Sequence, residues 1–405
     1  MNHGKVNKNI GRSPSGVMKV LLVMFAGSVP GFAFAQSSVT LYGMINEGFQ
    51  YNSNAGGKSQ YSLATGALGG SRWGLKGVED LGGGYQAIFR LESGFDANTG
   101  KMSQGGLLFG RQAWVGLNSN RYGSVTLGRQ YDSGVDFIGP LTVGDVWGGT
   151  FGSQPGDINN YDNTIRTNNS IKYTSVNYGG FTFGGVYSLG GVAGDVSRNQ
   201  IWSLGASYSN GALSAAAAYL NVRNPNVSFF GTNSSTALTP ATTNMTSPVY
   251  SGYASANTYQ VAGAGVNYTI GSATFGLIYS NIRFMSLGNT VESGPNPGKL
   301  SGDATFNNVE TSFRYQATPF LVLGVEYNYL RGNPTNGRSS SQYHQGTVGV
   351  DYLLSKRTDV YLVAAYQHAS GTDSTGHSAV AAINQVTPST SNHQTAVSVA
   401  FRHKF

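Results

Sequence analysis

The sequence predicts an all-β chain: a 16-stranded antiparallel barrel that crosses a membrane, with short turns at one rim and long loops at the other. Three observations point there. Apolar and polar residues alternate with period two through segments of ~8–12 residues. The connections between these segments alternate strictly between short and long. Charged residues are only 11% of the chain, against a typical ~25%, while Gly (58) and Tyr (24) take their place.

The strands read in order. Residues 39–51 (VTLYGMINEGFQY) form the first. In 71–76, Trp73 and Leu75 share one face, Arg72 and Lys76 the other; in 85–92, Ala87, Phe89 and Leu91 oppose Gln86, Arg90 and Glu92. Residues 309–315 set Val309, Thr311, Phe313 and Tyr315 against Glu310, Ser312 and Arg314, and 321–329 repeat the pattern. The last segment, 396–405 (AVSVAFRHKF), alternates to the terminal Phe405. Short connections fall at 77–84, 118–124, 176–180, 208–212, 268–273, 315–320 and 352–361. Long ones fall near 52–69, 96–105, 132–167, 190–199, 221–256, 284–304, 332–341 and 370–393. An even strand number puts both chain ends at the short-turn rim.

A soluble sandwich has no reason to gather its long loops at one end. A transmembrane barrel does, with short periplasmic turns, long extracellular loops and ~10-residue strands tilted across a ~25 Å apolar band. Closure pairs every backbone group where no water is available. Tyr178, Tyr208, Tyr268, Tyr315 and Tyr352 each sit beside a short turn, where an amphipathic ring can face lipid while its hydroxyl stays wet. The terminal strand is expected to pair with 39–51, which explains why a chain end should be half apolar.

Residues 1–35 read as a secretory signal peptide, with Lys19, an apolar run and Ala33-Phe34-Ala35 before Gln36; Met18 is an alternative start. Residues 36–405 then form one barrel domain. Removing Lys5, Lys8, Arg12 and Lys19, and no acid, takes the formal charge from +7 to +3. Nucleic-acid binding thereby loses its electrostatic support. Cysteine is absent, which excludes disulfides and thiolate zinc sites. The six histidines make no i,i+4 metal pair and no H-E-x-x-H. Gly82–Gly84 opens a strand and not a helix, so it is no phosphate loop, and no G-x-S-x-G elbow appears. No cofactor, metal or catalytic group is expected; a barrel hydrolase is a minor alternative.

Several stretches carry a resemblance to a known family: SSVTLYGMINEGF (37–49), SRWGLKGVEDLGGGYQAIFRLE (71–92), FGRQAWVGL (109–117), YGSVTLGRQY (122–131), NSIKYTS (169–175), YLLSKRTDVY (352–361) and the final FRHKF. Together they resemble the general porins of Gram-negative bacteria, of the β-proteobacterial and neisserial type, over about the whole of 36–405. The resemblance implies a homotrimer of 16-stranded barrels in the outer membrane, in contact with its lipid and lipopolysaccharide. It implies a third long loop folded inward to narrow a pore for small hydrophilic solutes. It also implies that the terminal strand ending in Phe405 is read by the barrel-assembly machinery. One departure stands out: family members carry an acid where Asn46 stands, and here Glu47 follows on the outward face.

The chemistry would sit on the loop 132–167, which holds Asp132, Asp136, Asp145, Asp157 and Asp162 and no Lys or Arg before Arg166. Folded inward, it would give the constriction a negative edge. Opposite it, Arg72 and Arg90 point inward by alternation; by resemblance Arg111, Arg129 and Arg166 join Arg72. Parity puts Arg111 with Ala113 and Val115, and Arg129 with Val125 and Leu127, so a bulge or a subunit contact beside Gly116 and Gly128 would be needed. Rings of Arg favour anions in a narrow pore, so a mildly anion-selective diffusion channel is expected. Two other readings stay open: an adhesin or structural surface barrel, and a substrate-specific channel with an aromatic ladder.

Overall fold

The computed structural model describes residues 37–234, 239–336 and 340–405; the leader reading of 1–35 lies outside them. Seventeen strands follow in chain order. They are β1 (Ser38–Ala55), β2 (Lys58–Thr65), β3 (Arg72–Gly82), β4 (Tyr85–Gly94), β5 (Gln112–Ser119) and β6 (Gly123–Gln130). Then come β7 (Thr167–Thr174), β8 (Phe181–Ser188), β9 (Ile201–Asn210), β10 (Leu213–Arg223), β11 (Thr258–Ile270) and β12 (Ala273–Leu287). The last are β13 (Gly302–Thr318), β14 (Leu321–Gly332), β15 (Gln342–Leu353), β16 (Thr358–Ser370) and β17 (His393–Lys404).

Consecutive strands pair antiparallel, except that β2 and β3 both pair with β1 and not with each other, and β1 closes the sheet on β17, from Met44↔Lys404 to Asn52↔Ala396. On its other edge β1 meets two strands in succession. Its lower half pairs β3 (Ser38↔Val78 to Met44↔Arg72) and its upper half pairs β2 (Glu47↔Thr65 to Ala55↔Lys58). Thus β2 and β3 are two halves of one stave broken at 66–71, and the closed barrel has 16 staves.

The expected long loop at 52–69 is therefore corrected. The chain continues as a hairpin through a two-residue Gly56-Gly57 turn, both with positive φ. Glycines at both central positions suit the turns whose twist matches paired strands. Tyr51 opposite Tyr61 and Phe49 opposite Leu63 extend the outward apolar face into this hairpin.

The burial pattern inverts that of a soluble protein. Outward Val39 and Leu63 are each 66% exposed, while inward Asn46, Gln367 and Gln394 are 0% exposed. A lipid-facing exterior requires this arrangement. The five turn tyrosines singled out above are all exposed. Phe405 ends the closing strand: its N–H donates to Gly43 O at 3.0 Å and its carbonyl accepts from Gly43 N–H at 3.1 Å.

Candidate functional site

The segment between β6 and β7 is irregular, with short helical turns such as Val143–Val146. Inward residues of the distant wall hold it. Glu310 on β13 accepts from Val143 N–H at 2.8 Å and Gln154 Nε2 at 2.5 Å. Gln345 on β15 donates to Phe151 O and Ser153 O, both at 2.9 Å, and Thr347 to Phe151 O at 3.1 Å. Tyr259 on β11 donates to Ile158 O at 2.6 Å, and Asn267 to Leu141 O at 3.1 Å. Trp147 lies flat on Gly324 and Gly349: a Cβ on Gly349 would stand 2.7 Å from its ring. Phe137, Ile138, Leu141, Ile158 and Tyr161 join an apolar cluster with Ile201, Leu220, Val261 and Ile278. These contacts come from seven wall strands, β9 to β15, so the segment crosses the barrel interior.

The arginines divide by what they touch. Arg111 Nε meets Glu92 Oε1 at 2.6 Å, and its NH2 donates to Tyr131 OH at 3.3 Å. Tyr42 OH donates to the other oxygen of Glu92 at 2.8 Å. Such charge-assisted bonds are short and strong. Arg129 is 9% exposed and donates to Gly110 O (2.8 Å), Asn168 Oδ1 (2.5 Å), Thr232 O (2.9 Å) and Asn233 Oδ1 (3.0 Å). Arg166 is 3% exposed, donates to Thr164 O at 3.0 Å and lies 5.9 Å from the centre of the Tyr131 ring. Arg72, first residue of β3, is half-buried, and among the described residues its guanidinium has neither a hydrogen bond nor an ion pair. Arg90 lies over the rings of Tyr42 (5.7 Å) and Trp114 (5.9 Å).

The parity difficulty resolves locally. Arg111 precedes β5, outside its alternation. The β6–β7 register shifts between Gly128 and Gln130, so Arg129 occupies a bulge. An extra residue there re-aims the side chain.

The acids also divide. Asp132 accepts from Gly134 N–H (2.7 Å), Val135 N–H (3.3 Å) and Asn160 Nδ2 (2.8 Å). Burial pushes its carboxyl up to about 6. Asp157 accepts from Asp162 N–H and Thr164 N–H, each at 3.0 Å, and burial pushes it to about 6 as well. Asp136 pairs with Lys172 of β7; burial raises its carboxyl and Lys172 pulls it back. Asp162 accepts from Asn384 at 3.2 Å, and burial beside Asp157 raises it well above its ordinary value. Asp145 alone among them is exposed. The protein around it pushes its carboxyl up, while the charges of Arg72 and Arg111 pull it down.

Arg72, Arg111 and Asp145 are thus brought within one another's fields, while Arg129 and Arg166 are bound up with loop backbone. Below the segment a space of about 120 Å³ is lined by Pro140, Val146, Trp147, Asn267 and Arg314 among others. Sequence reasoning missed Glu92 as the partner of Arg111, although its inward parity two residues from Arg90 was a usable signal. It also missed Glu310, whose inward parity was the same kind of signal, and Tyr42 and Tyr131. Among the described residues no cluster of His, Asp or Glu suits a metal ion. The arrangement sets the charges of Arg72 and Arg111 near that of Asp145.

Comparison with known proteins adds the following. The family model described as Gram-negative porin matches residues 20–372. An outer membrane porin protein of Bordetella pertussis is 38% identical over 232 residues, covering 50% of this chain and 58% of that one. Outer membrane porin protein 32 of Delftia acidovorans is 37% identical over 215 residues, covering 49% of this chain and 58% of its own length. The chain thus spans less than two thirds of either relative. Among solved structures, an anion-selective porin from Comamonas acidovorans superposes with a TM-score of 0.67 at 24% identity, over 91% of this chain and 100% of that one.

Proposed function

Because the chain belongs to the Gram-negative porin family and is a multi-pass β-barrel of the outer membrane, we propose that it is a water-filled channel for passive diffusion of small hydrophilic solutes and ions, with a mild preference for anions. The observation that carries this reading is the unpaired Arg72 guanidinium set against the exposed Asp145 of the inward segment. A fixed cation at a narrow, poorly solvated opening is screened less than one on an open surface. Arg111 is largely offset by Glu92, so Arg72 dominates the positive edge.

The inner aromatics do not favour a substrate-specific ladder. Phe229, Tyr259, Phe284 and Phe306 are each at most 1% exposed, so they fill space and present no rings to a passing solute.

We further infer a homotrimer in an outer membrane containing lipopolysaccharide, removal of residues 1–35 as a leader, and recognition of the Phe405 strand by the assembly machinery. Deleting Phe405 should leave export to the periplasm intact and reduce insertion, since it removes two backbone bonds to Gly43; normal surface yield would count against this. Purified protein in a planar bilayer should give discrete conductance steps. Their absence would sink the channel reading and favour an adhesin or structural barrel.

A further inference from the structure

We propose that the outward face of the long-loop rim over β14–β17 binds anionic headgroups of bilayer lipids through Arg331 and a ladder of histidines, His344, His368 and His393, and that acid strengthens this binding. The inference rests on the outer-membrane reading above and adds a partner site to it.

The register builds the ladder. His344 on β15 stands directly opposite His368 on β16, and His368 directly opposite His393 on β17. Adjacent strands are ~4.8 Å apart, so the imidazoles form a row ~10 Å long. Arg331 on β14 continues it, two pairs above the Tyr329↔His344 pair and on the same face. All four lie on the exterior, because their alternates Leu330, Tyr343, Gln345, Gln367 and Gln394 are at most 1% exposed inside the barrel.

The row also sits at the right height. Directly below it on the same outward face, Tyr327, Val348 and Tyr366 are about half exposed, followed by Val325, Val350 and Leu362. Apolar residues, then tyrosine, then cations is the order of a membrane–water interface.

The rings are not committed to acids. His344 Nδ1 meets Tyr327 OH at 2.7 Å and its ring lies 4.8 Å from that of Tyr329. His368 Nε2 and His393 Nδ1 each meet the Asn392 amide at 3.1 Å. None of the ion pairs among the described residues involves an imidazole. Arg331 is exposed and unpaired among the described residues. The acid of the following loop, Asp373, lies on the inner side with Tyr343, and further round the rim Asp303 is occupied by Arg283 at 3.0 Å. A row of cations with no acid of its own suits phosphate groups.

Histidine ordinarily changes charge between about pH 5 and 8. Each imidazole that takes up a proton adds a charge to that of Arg331. Each cation near an anionic lipid surface adds attraction, so preference for anionic lipid should rise as pH falls.

The test uses the full protein in phosphatidylcholine vesicles doped with spin-labelled phosphatidylglycerol or spin-labelled phosphatidylcholine. The spectrum gives the fraction of each label immobilised at the barrel. The ratio favouring phosphatidylglycerol should rise roughly three- to fivefold from about pH 8 to about pH 5.5. In the combined His344→Gln, His368→Gln, His393→Gln variant that rise should vanish. Arg331→Gln alone should lower the ratio at both pH values and keep the rise. A ratio independent of pH in the native protein, or a rise that survives the triple substitution, overturns the proposal. So does a triple variant whose only change is oligomer mobility on native gels, which would make the row a contact between copies. Native single-channel conductance in the triple variant confirms folding and separates failure here from failure of the channel reading.

Discussion

Glu92 shows how one side chain sets the charge its neighbours present. Its two oxygens take Arg111 at 2.6 Å and Tyr42 at 2.8 Å. Glu92→Gln should keep the Arg111 contact through its amide oxygen, with the Tyr42 hydroxyl turning to accept from the amide NH2, and release the Arg111 charge. The zero-current potential in a salt gradient should then move further toward anions; movement toward cations would show that Arg111 does not face the permeating ions. Gly43 is another such position. A Cβ there would stand 2.6 Å from the Phe405 ring and against Arg72 O. Gly43→Leu should displace the terminal ring and reduce the heat-resistant folded fraction on gels, much as loss of Phe405 would. A full yield of heat-resistant barrel would contradict this. At this scale the sequence was partly legible. Arg72 could be placed because it lies on a regular strand. Arg129 could not, because a bulge between Gly128 and Gln130 overrides alternation.

Among the elements, the inward segment between β6 and β7 depends on a few long-range bonds. Glu310 satisfies Val143 N–H and Gln154 together. Glu310→Ala leaves a buried N–H and a buried amide without partners, at a cost of roughly 1–3 kcal/mol. Open-channel noise and protease cleavage of the segment should both increase; a quiet, resistant channel would show that the remaining bonds suffice. Acidity acts on the same segment. Burial in the packed segment pushes Asp132 and Asp157 up to about 6, against an ordinary 3.8. The packed segment therefore binds their protons more tightly than an open one. Packing is most favourable below an ordinary carboxyl's 3.8 and weakens as pH rises through about 6. Relative to a fixed-charge control peptide, cleavage of the segment should be slower at acid than at neutral pH. Asp132→Asn combined with Asp157→Asn should flatten that slope, and the opposite slope in the native protein would refute the account. The length and acid content of this segment were visible in the sequence. Its anchors were not, since Gln345 and Phe151 lie 194 residues apart. The hairpin at Gly56-Gly57 was a missed local signal: two glycines between alternating residues mark a tight turn, here read as part of a loop.

For the whole molecule, selectivity follows from which charges reach open space. Arg72 is half-buried and unpaired, whereas Arg166 is 3% exposed. Arg72→Ser should therefore shift the reversal potential toward cations, and Arg166→Ser should change it little. The Arg72 effect should shrink as the Debye length falls from ~10 Å at 0.1 M salt to ~3 Å at 1 M. Equal shifts from the two variants would mean that burial does not govern access. The sequence by itself determined the antiparallel strands, the apolar exterior and the pairing of the two terminal strands. Those features follow from period-two alternation and turn chemistry, which act between near neighbours. Only the tertiary structure decided that β2 and β3 share one stave, that Arg129 and Arg166 are tied to loop backbone, and that Arg72 and Asp145 lie within one another's fields. These depend on contacts between residues far apart in the chain, where burial and hydrogen-bond partners, and not local pattern, set the outcome.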